Sequence, residues 1–203
     1  MIQTLQKEVT FDEFIAWYPE NTEHRYELHD GVIVEMPKPK GKHSKLAGFI
    51  IAELNFILRQ YKLPFFIPRE CIIKSVDGKS GYEPDVIVLD EAALVNEPRW
   101  EAESVITQGN SVKLIIEVVS TNWRDDYFRK LGDYEELGIP EYWIFDYLAL
   151  GGRNFIGSPK QPTISVYELV DGEYQVAQFR GNENLKSPIF PELNLTVEQI
   201  FQL

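Results

Sequence analysis

The sequence predicts a mixed α/β fold in which a β-sheet is flanked by helices. Two observations carry this prediction. Segments with helical spacing of apolar residues alternate with short apolar segments typical of strands, in the order helix, several strands, helix, strand. In addition, DVIVLD and VKLIIEVVS are apolar almost throughout, as expected for central strands that are covered on both faces. One β-hairpin near each end of the chain completes the predicted fold.

Caps, turns and spacing place the elements of the N-terminal half. Thr10 and Glu13 form a capping box that opens a short helix through FDEFIAWY. RYELHDGVIVEMP alternates around a His-Asp-Gly turn and predicts the N-terminal hairpin. Apolar residues recur at helical spacing from Lys42 to about Gln60, which predicts an amphipathic helix. PFFIPRECIIKS predicts one strand with a proline-marked edge or bend, and DVIVLD, after Pro84, predicts another.

The C-terminal half continues with strands and helices. From Glu91 to Gln108 the sequence is mixed and acidic, which predicts a loop with a short helix. VKLIIEVVS predicts a strand, and helical spacing from Asn122 to Leu137 predicts a helix that ends at Gly138. EYWIFDY predicts a further strand, followed by a Gly- and Pro-containing loop over 154–163. TISVYELVDGEYQVAQF predicts the C-terminal hairpin, and TVEQIFQL predicts a last short helix.

Length and composition indicate one domain, 1–203. Of the 203 residues, 44% are hydrophobic and 13% aromatic, which is sufficient for a substantial core. No apolar run is long enough to span a membrane, and the first residues lack the basic and apolar regions of a secretory signal. The single cysteine, Cys71, excludes an internal disulfide and a cysteine-rich zinc site, and it fits a reducing compartment. We therefore expect a cytoplasmic protein without membrane contact.

The charge distribution leaves two interpretations of one basic patch open. The net charge of −12 opposes general attraction to nucleic acid, because phosphate binding depends on lysine and arginine. No acidic residue lies between Met36 and Ala52, however, and a local patch can oppose the global sum. This stretch is either a solvated loop with a lysine-rich helix start or a surface that contacts phosphates. The basic residues of the patch are Lys38, Lys40, Lys42, His43 and Lys45; Lys42, His43 and Lys45 are the candidates for nucleic-acid binding.

Two carboxylates stand in the apolar strands. Asp85 opens DVIVLD, and Glu117 lies near the end of LIIEVVS. If these strands are neighbours, both side chains converge at one end of the sheet. Because two buried carboxylates repel each other, they need a cation there. Oxygen ligands of this kind suit Mg²⁺ or Mn²⁺, which can activate a bound water. The alternative, which is the more common role of any single strand-end acid, is to cap a helix or pair with an arginine.

The residues after Glu117 raise the question of its cationic partner. Side chains alternate along a strand, so Glu117 and Val119 point to the same face. A lysine at that place would hold the attacking water or the phosphate, which valine cannot do. Asp126, Lys130 and Tyr134 follow at four-residue steps on one face of the next helix, from which Lys130 can reach back over the strand end. The alternative is a solvent-exposed salt bridge between Asp126 and Lys130.

Five short motifs occur in an order that is more specific than any one of them. They are YELHDG, EPDVIVLD, LIIEVVS, a helix with the spacing D-x-x-x-K-x-x-x-Y, and GIPEYWIFD, and the resemblance that they carry covers Phe11 to Phe201. Together they resemble the Uma-two family, bacterial proteins assigned to the restriction endonucleases within the PD-(D/E)XK nuclease superfamily. The resemblance implies a restriction-endonuclease-like fold: a mixed sheet flanked by helices, with a metal bound at one end of the sheet.

The resemblance also implies a role for each matching residue. Asp85 matches the Asp of the Pro-Asp motif and Glu117 the acid of (D/E)-x-K, so both would be metal ligands. Val119 departs from this motif, and Lys130 of the following helix would supply the lysine function. Glu27 would be an additional metal ligand, directly or through water. Asp126 would orient Lys130, and Tyr134 would donate a hydrogen bond. His43 would contact phosphate or cap a helix.

The leading hypothesis is therefore a Mg²⁺- or Mn²⁺-dependent endonuclease that hydrolyses phosphodiester bonds in DNA, with Asp85, Glu117 and Lys130 as catalytic residues. The alternative is a nuclease-fold protein without activity that binds nucleic acid or protein, which Val119 and the negative charge favour. We also expect a homodimer, through EYWIFDY or the C-terminal hairpin, although a buried strand is the more common role for EYWIFDY. No P-loop, G-x-G-x-x-G or G-x-S-x-G motif indicates another class of enzyme. His24 and His29 are expected on the surface of the N-terminal hairpin.

Overall fold

The computed structural model describes residues 8–19 and 24–203, within which the strands form two mixed sheets. The strands are β1 (Arg25–His29), β2 (Val32–Met36), β3 (Phe65–Phe66), β4 (Ile72–Lys74), β5 (Gly81–Tyr82), β6 (Val86–Asp90), β7 (Val105–Ile106), β8 (Val112–Val118), β9 (Glu141–Asp146), β10 (Thr163–Val170) and β11 (Glu173–Phe179). The helices are α1 (Phe11–Trp17), α2 (Gly41–Tyr61), α3 (Trp100–Glu103), α4 (Leu131–Glu136), α5 (Arg153–Ile156) and α6 (Val197–Phe201). Short 3₁₀ turns cover Leu94–Asn96 and Gly109–Ser111, and a π-helical segment, here called the π-segment, covers Asp125–Lys130.

The larger sheet has six strands in the order β11-β10-β9-β8-β6-β3. β8 and β9 run parallel, and the other neighbours are antiparallel. Helices α2 and α6 cover one face, whereas the smaller sheet and α4 cover the other. Burial on both faces explains why β6, β8 and β9 are apolar along almost their whole length. The predicted pairing of β6 with β8 is confirmed, with Val86 opposite Ile116.

The smaller sheet has the order β2-β1-β5-β4-β7 and begins with the N-terminal hairpin. The turn of this hairpin has positive φ at Asp30 (48°) and Gly31 (79°), as two-residue hairpin turns require. The turn of the C-terminal hairpin has the same conformation, with positive φ at Asp171 and Gly172. Helix α1, opened by the predicted Thr10 capping box, packs Phe11 and Phe14 against the smaller sheet. The predicted α/β fold with a hairpin near each end is thus confirmed.

Several local predictions were wrong. PFFIPRECIIKS is not one strand: β3 belongs to the larger sheet and β4 to the smaller one. Pro68 lies between them, and because proline lacks an N–H and restricts the residue before it, the ladder ends there and the chain crosses between the sheets. The segment 154–163 is not all loop, since α5 ends within it. Strand β5, which has two residues, gave no signal in the sequence.

The helix predicted over 122–137 has a different form. Its first part is the π-segment, and regular α-helix begins only at Leu131. It ends as predicted at Gly138, whose φ of 75° is the left-handed conformation that favours glycine. π-Helical turns are rare and occur frequently at functional sites. Among the described residues, no helix is both long and apolar enough to cross a membrane.

Candidate active site

A cavity of about 170 Å³ lies where the end of β8 meets the start of β6. Because these two strands are antiparallel neighbours, the last residues of one lie beside the first residues of the other. The acidic side chains of the lining are Glu27, Glu83, Asp85, Glu117, Asp125 and Asp126. The basic ones are Arg25, Lys38, Lys40, His43 and Lys130. Four separate regions of the chain therefore bring opposite charges together in one small space.

Glu117 is a buried carboxylate near the end of β8. Its neighbours Ile116 and Val118 pack toward α2, whereas Val119 packs with the core on the opposite face, so Glu117 and Val119 share a face as predicted. Glu117 Oε1 accepts hydrogen bonds from Lys130 Nζ at 3.0 Å and from the Tyr134 hydroxyl at 3.3 Å. Burial raises the pKa of Glu117 and Lys130 only partly offsets this, so the pKa reaches about 7.

Lys130 is a buried cation surrounded by carboxylates. Besides Glu117, its Nζ contacts Glu27 Oε1 at 3.1 Å and lies 3.8 Å from Asp126 Oδ1. Burial lowers the pKa of Lys130, but these carboxylates raise it by a larger amount. The net pKa lies well above its usual range, so the amine is protonated. The alternative of a solvent-exposed salt bridge was wrong, because Lys130 and Asp126 are only 3% and 8% exposed.

Glu27 reaches the cavity from β1 of the smaller sheet. Its Oε1 accepts from Lys130 Nζ and from the Glu83 backbone N–H at 3.1 Å each, and its Oε2 lies 2.8 Å from His29 Nε2. Burial raises the pKa of Glu27, but Lys130 and His29 together lower it to about 2. Because an ionised carboxylate only accepts hydrogen bonds, His29 must donate from Nε2. His29 is buried, so its prediction as a surface residue was wrong; His24 is exposed as expected.

Asp85 lies one residue before β6 and is tied to the end of β8. Its Oδ2 accepts from the Val118 backbone N–H at 2.8 Å and lies 3.2 Å from His43 Nε2. Its Oδ1 lies 3.8 Å from Arg25 Nη1. Burial raises the pKa of Asp85, but His43 and the Val118 N–H lower it more, so its net pKa is lowered. The basic neighbours of Asp85 are thus His43 and Arg25, whereas Lys130 contacts Glu117.

Asp126 and Tyr134 complete the buried group. Burial raises the pKa of Asp126 well above its usual range, and the nearby Glu117 and Asp85 raise it further, whereas Lys130 lowers it. Tyr134 is fully buried, and burial raises its pKa, so the hydroxyl keeps its proton and donates to Glu117. Asp126 therefore lies beside Lys130, and Tyr134 contacts Glu117.

The basic patch divides between the cavity and the surface. His43 lies on the buried face of α2, three residues before Leu46, and its Nδ1 is buried with no hydrogen-bond partner within the described ranges. Helix capping is not its role, because the cap residue is Lys40 and no side chain caps this helix. Lys42 and Lys45 are exposed outside the cavity lining, and Lys42 Nζ lies 5.7 Å from the centre of the Tyr147 ring.

Three residues of the site were missed from the sequence: Arg25, His29 and Glu83. Arg25 donates from Nη2 to the Glu83 carbonyl at 2.6 Å and contacts the Glu83 carboxylate at 3.2 Å. Strand alternation could have identified two of them, because Arg25 and His29 are two residues before and after Glu27 and share its face. Nothing in the sequence predicts that Glu83 belongs to the site. It lies between β5 and β6, and its backbone N–H donates to Glu27.

The cavity lining offers carboxylate oxygens to a divalent cation. Within 8–19 and 24–203, no group of three or more His, Cys, Asp or Glu side chains can hold a metal ion by itself. Mg²⁺, however, is usually bound through one or two carboxylates together with water and substrate phosphate. Asp85 and Glu117 supply two carboxylates at one sheet end. Burial is the main cause of the raised pKa values of Glu117 and Asp126, and neighbouring carboxylates add to it. A divalent cation beside these oxygens would favour their ionised forms, so the residues fit such an ion.

Comparison with known proteins agrees with this fold. A crystal structure from Anabaena variabilis ATCC 29413, described as "a putative nuclease belonging to DUF820", matches with a TM-score of 0.73 over 96% of this chain and 98% of that chain. The two sequences are 21% identical, so the likeness concerns the fold alone. No curated protein matches the sequence. Residues 11–198 match the family Uma2, described as "Putative restriction endonuclease". With nearly its whole length matched, this chain belongs to the Uma2 family.

Proposed function

We propose that this chain, as a single domain over 1–203, is a nuclease of the PD-(D/E)XK type that hydrolyses phosphodiester bonds in DNA with Mg²⁺ or Mn²⁺ as its cofactor. The observation that carries the proposal is the 3.0 Å contact of Lys130 Nζ with Glu117 Oε1, in a cavity that Asp85 also lines. Family membership and the nuclease-like fold support the reaction class.

Asp85 and Glu117 would hold the metal ion. When bound, the ion would polarise a phosphate oxygen and lower the pKa of a bound water. Lys130 stays charged in the cavity, so it can orient the attacking water and stabilise the negative charge that develops on the phosphate. In this arrangement Lys130 performs the role that valine cannot perform at position 119.

Glu27 has a positioning role in this proposal. Both of its oxygens are engaged by protein groups, Oε1 by Lys130 and Glu83 and Oε2 by His29. It therefore acts on Lys130, which it holds against Glu117. Asp126 shares this role from within the π-segment, and Tyr134 fixes the Glu117 carboxylate by its hydrogen bond. Each of these contacts limits the freedom of the reacting groups, which is a recognised source of rate acceleration.

The basic residues beside the cavity would contact the DNA backbone. Lys38 and Lys40 line the cavity, and Lys42 and Lys45 are exposed on the first turns of α2. This local patch opposes the net charge of −12 at the place where a phosphate would enter. The unpaired Nδ1 of His43 offers a further polar atom in the same region.

Catalytic activity is tested by cleavage of plasmid DNA and labelled oligonucleotides in Mg²⁺ or Mn²⁺. We expect Glu117→Gln to reduce the rate at least about 10²-fold, because the negative charge that would hold the metal and that pairs with Lys130 is lost. Glu168→Gln is the matched control, since Glu168 is an exposed acid on the same sheet. Equal cleavage by wild type and Glu117→Gln would contradict the assignment of the site.

The alternative function is a nuclease-fold binding module without activity, which Val119 and the net charge of −12 favour. Calorimetric titration with Mn²⁺ separates the two functions. The nuclease proposal requires that wild type binds the ion and that Glu117→Gln weakens this binding. Absence of both cleavage and ion binding in folded wild type would contradict the nuclease and support the binding module.

A further inference from the structure

A half-exposed aromatic cluster lies beside the candidate active site. Trp123, Phe128 and Phe155 contact one another, with ring centroids 6.3 Å apart for Trp123 and Phe128 and 4.8 Å apart for Phe128 and Phe155. Phe128 remains 58% exposed. The cluster adjoins the cavity, because the lining residues Asn122 and Asp125 stand on either side of Trp123 and Arg124 in the chain.

Arginine accompanies these rings. The Arg124 guanidinium lies 4.7 Å from the centre of the Trp123 ring, in a cation–π arrangement, and Arg124 is exposed. Arg153, also exposed, is two residues before Phe155. In a chain with a net charge of −12, two exposed arginines lie near the exposed Phe128 ring and the partly buried rings of Trp123 and Phe155. They give this surface the charge that is complementary to a phosphate backbone. Exposed rings combined with arginine are the usual means of binding single-stranded nucleic acid.

We propose that this surface, composed of Trp123, Arg124, Phe128 and Phe155, stacks on an unpaired base of a single-stranded nucleic acid whose scissile phosphate enters the cavity. The inference rests on the proposed nuclease function and names its substrate class. In a duplex the bases are already stacked on one another and their faces are not available to a protein ring. A strand without a partner offers those faces, so the surface selects single-stranded over double-stranded substrate.

The limited basic surface supports the same substrate class. Duplex binding commonly depends on many phosphate contacts. Of the basic residues that line the cavity, Lys38 and Lys40 are exposed, whereas the other three lie against carboxylates. Leu148, which is 55% exposed, and Leu150 make another part of the lining apolar. Stacking gains affinity without additional positive charge, at about a 5- to 100-fold effect for each base. Affinity for a single strand is therefore possible in an acidic protein.

The inference is tested by cleavage of a labelled 20-nucleotide strand and of the same strand in a duplex, in Mn²⁺. We expect the single strand to be cleaved at least about 10-fold faster. Trp123→Ala should raise KM for the single strand about 5- to 100-fold, with a smaller effect on kcat. Trp17→Ala is the control, because Trp17 is a tryptophan that is 46% exposed on α1, outside this surface. Phe128→Ala provides a second variant at an exposed position, in case Trp123→Ala fails to fold.

The outcomes separate this inference from the proposed function. Equal cleavage of duplex and single strand, or an unchanged KM in Trp123→Ala and Phe128→Ala, would overturn the stacking surface while loss of cleavage in Glu117→Gln still upheld the nuclease. If wild type cleaves neither substrate, fluorescence anisotropy with the labelled strand decides. Binding that Phe128→Ala weakens would then support the surface and contradict the nuclease, and no binding would overturn both.

Discussion

His29 is a buried residue that reaches the candidate active site through Glu27. Its Nε2 donates to Glu27 Oε2, and Glu27 Oε1 in turn accepts from Lys130, which contacts Glu117. Buried polar networks in which each member is satisfied hold their side chains in one arrangement. His29 is thus a positioning residue for Lys130, although it makes no contact with the reacting groups.

Replacement of His29 is expected to lower kcat and leave KM almost unchanged. His29→Leu removes the donor to Glu27, so Lys130 is held less firmly, and we expect a loss of about 10-fold in kcat, the lower end of the effects known for outer-shell partners. His29→Gln keeps an N–H donor and should restore part of the loss. The measurement is steady-state cleavage kinetics, with His24→Leu as the control at an exposed histidine. Equal kcat for His29→Leu and wild type would contradict the positioning role of His29.

The sequence predicted which residue types form the site better than it predicted how deeply they are buried. The four-residue steps of Asp126, Lys130 and Tyr134 predicted a shared helix face, which is correct. Whether that face is buried could not be predicted, because its cover includes Glu27, which is 103 residues away from Lys130 in the chain. Burial by such distant segments is decided by the packing of the smaller sheet, for which the local sequence carries no signal.

The same distinction holds for secondary-structure elements. Helix α2 and both hairpins were predicted because apolar periodicity and Asp-Gly turns are local signals. The π-segment was not predicted, since its residues have the same spacing as an α-helix. The assignment of β3 and β4 to different sheets also depends on tertiary packing, and β5 is too short to show any alternation.

Strand β9 begins with a buried carboxylate that connects it to the C-terminal region. Glu141 Oε1 accepts from Trp143 Nε1 at 2.7 Å, and Oε2 accepts from Ser187 Oγ at 2.9 Å and from the Ile189 N–H at 3.1 Å. Burial raises the pKa of Glu141 and these three donors only partly oppose the effect, so the pKa is about 6 in the folded chain.

This raised pKa predicts a pH dependence of stability. Between the ordinary value of 4.5 and about 6, the folded state binds more protons at Glu141 than the unfolded state does, so stability falls as the pH rises through this window. The advantage of wild type over Glu141→Gln in free energy of unfolding should therefore narrow by about 2 kcal/mol from pH 4 to pH 7. Urea unfolding of both proteins measures this difference. A constant difference between wild type and Glu141→Gln from pH 4 to pH 7 would contradict the prediction.

For the whole molecule, the candidate site depends on how the two sheets are joined. The larger sheet supplies Asp85 and Glu117 at adjacent strand ends, and the smaller sheet supplies Arg25 and Glu27. Lys130 comes from the π-segment, on the face of the larger sheet that the smaller sheet covers. A site composed in this way forms only when the domain is folded. The sequence could predict the strands that carry the acids but not the contact between the sheets.

The free edge of the larger sheet bears on the predicted homodimer. EYWIFDY cannot form the interface, because β9 is buried along its whole length. Strand β11 is a sheet edge of seven residues, EYQVAQF, with one charged side chain and with Val176 52% exposed. The Tyr174 N–H of this strand donates to the Glu135 carboxylate at 2.6 Å. The remaining outward N–H and C=O groups of an edge strand of this length can pair with a second chain. The opposite edge, β3, has only two residues and offers little for pairing.

We expect two copies of the chain to associate through β11. Light scattering after gel filtration should then give twice the chain mass of 23.5 kDa. Val176→Lys should convert the dimer to a monomer, because a lysine on an edge strand opposes pairing with another edge. Val95→Lys is the matched control, since Val95 is 85% exposed in the 3₁₀ turn Leu94–Asn96, away from this edge. A wild-type mass of 23.5 kDa at all concentrations would contradict the dimer, and a dimer in both variants would move its interface away from β11.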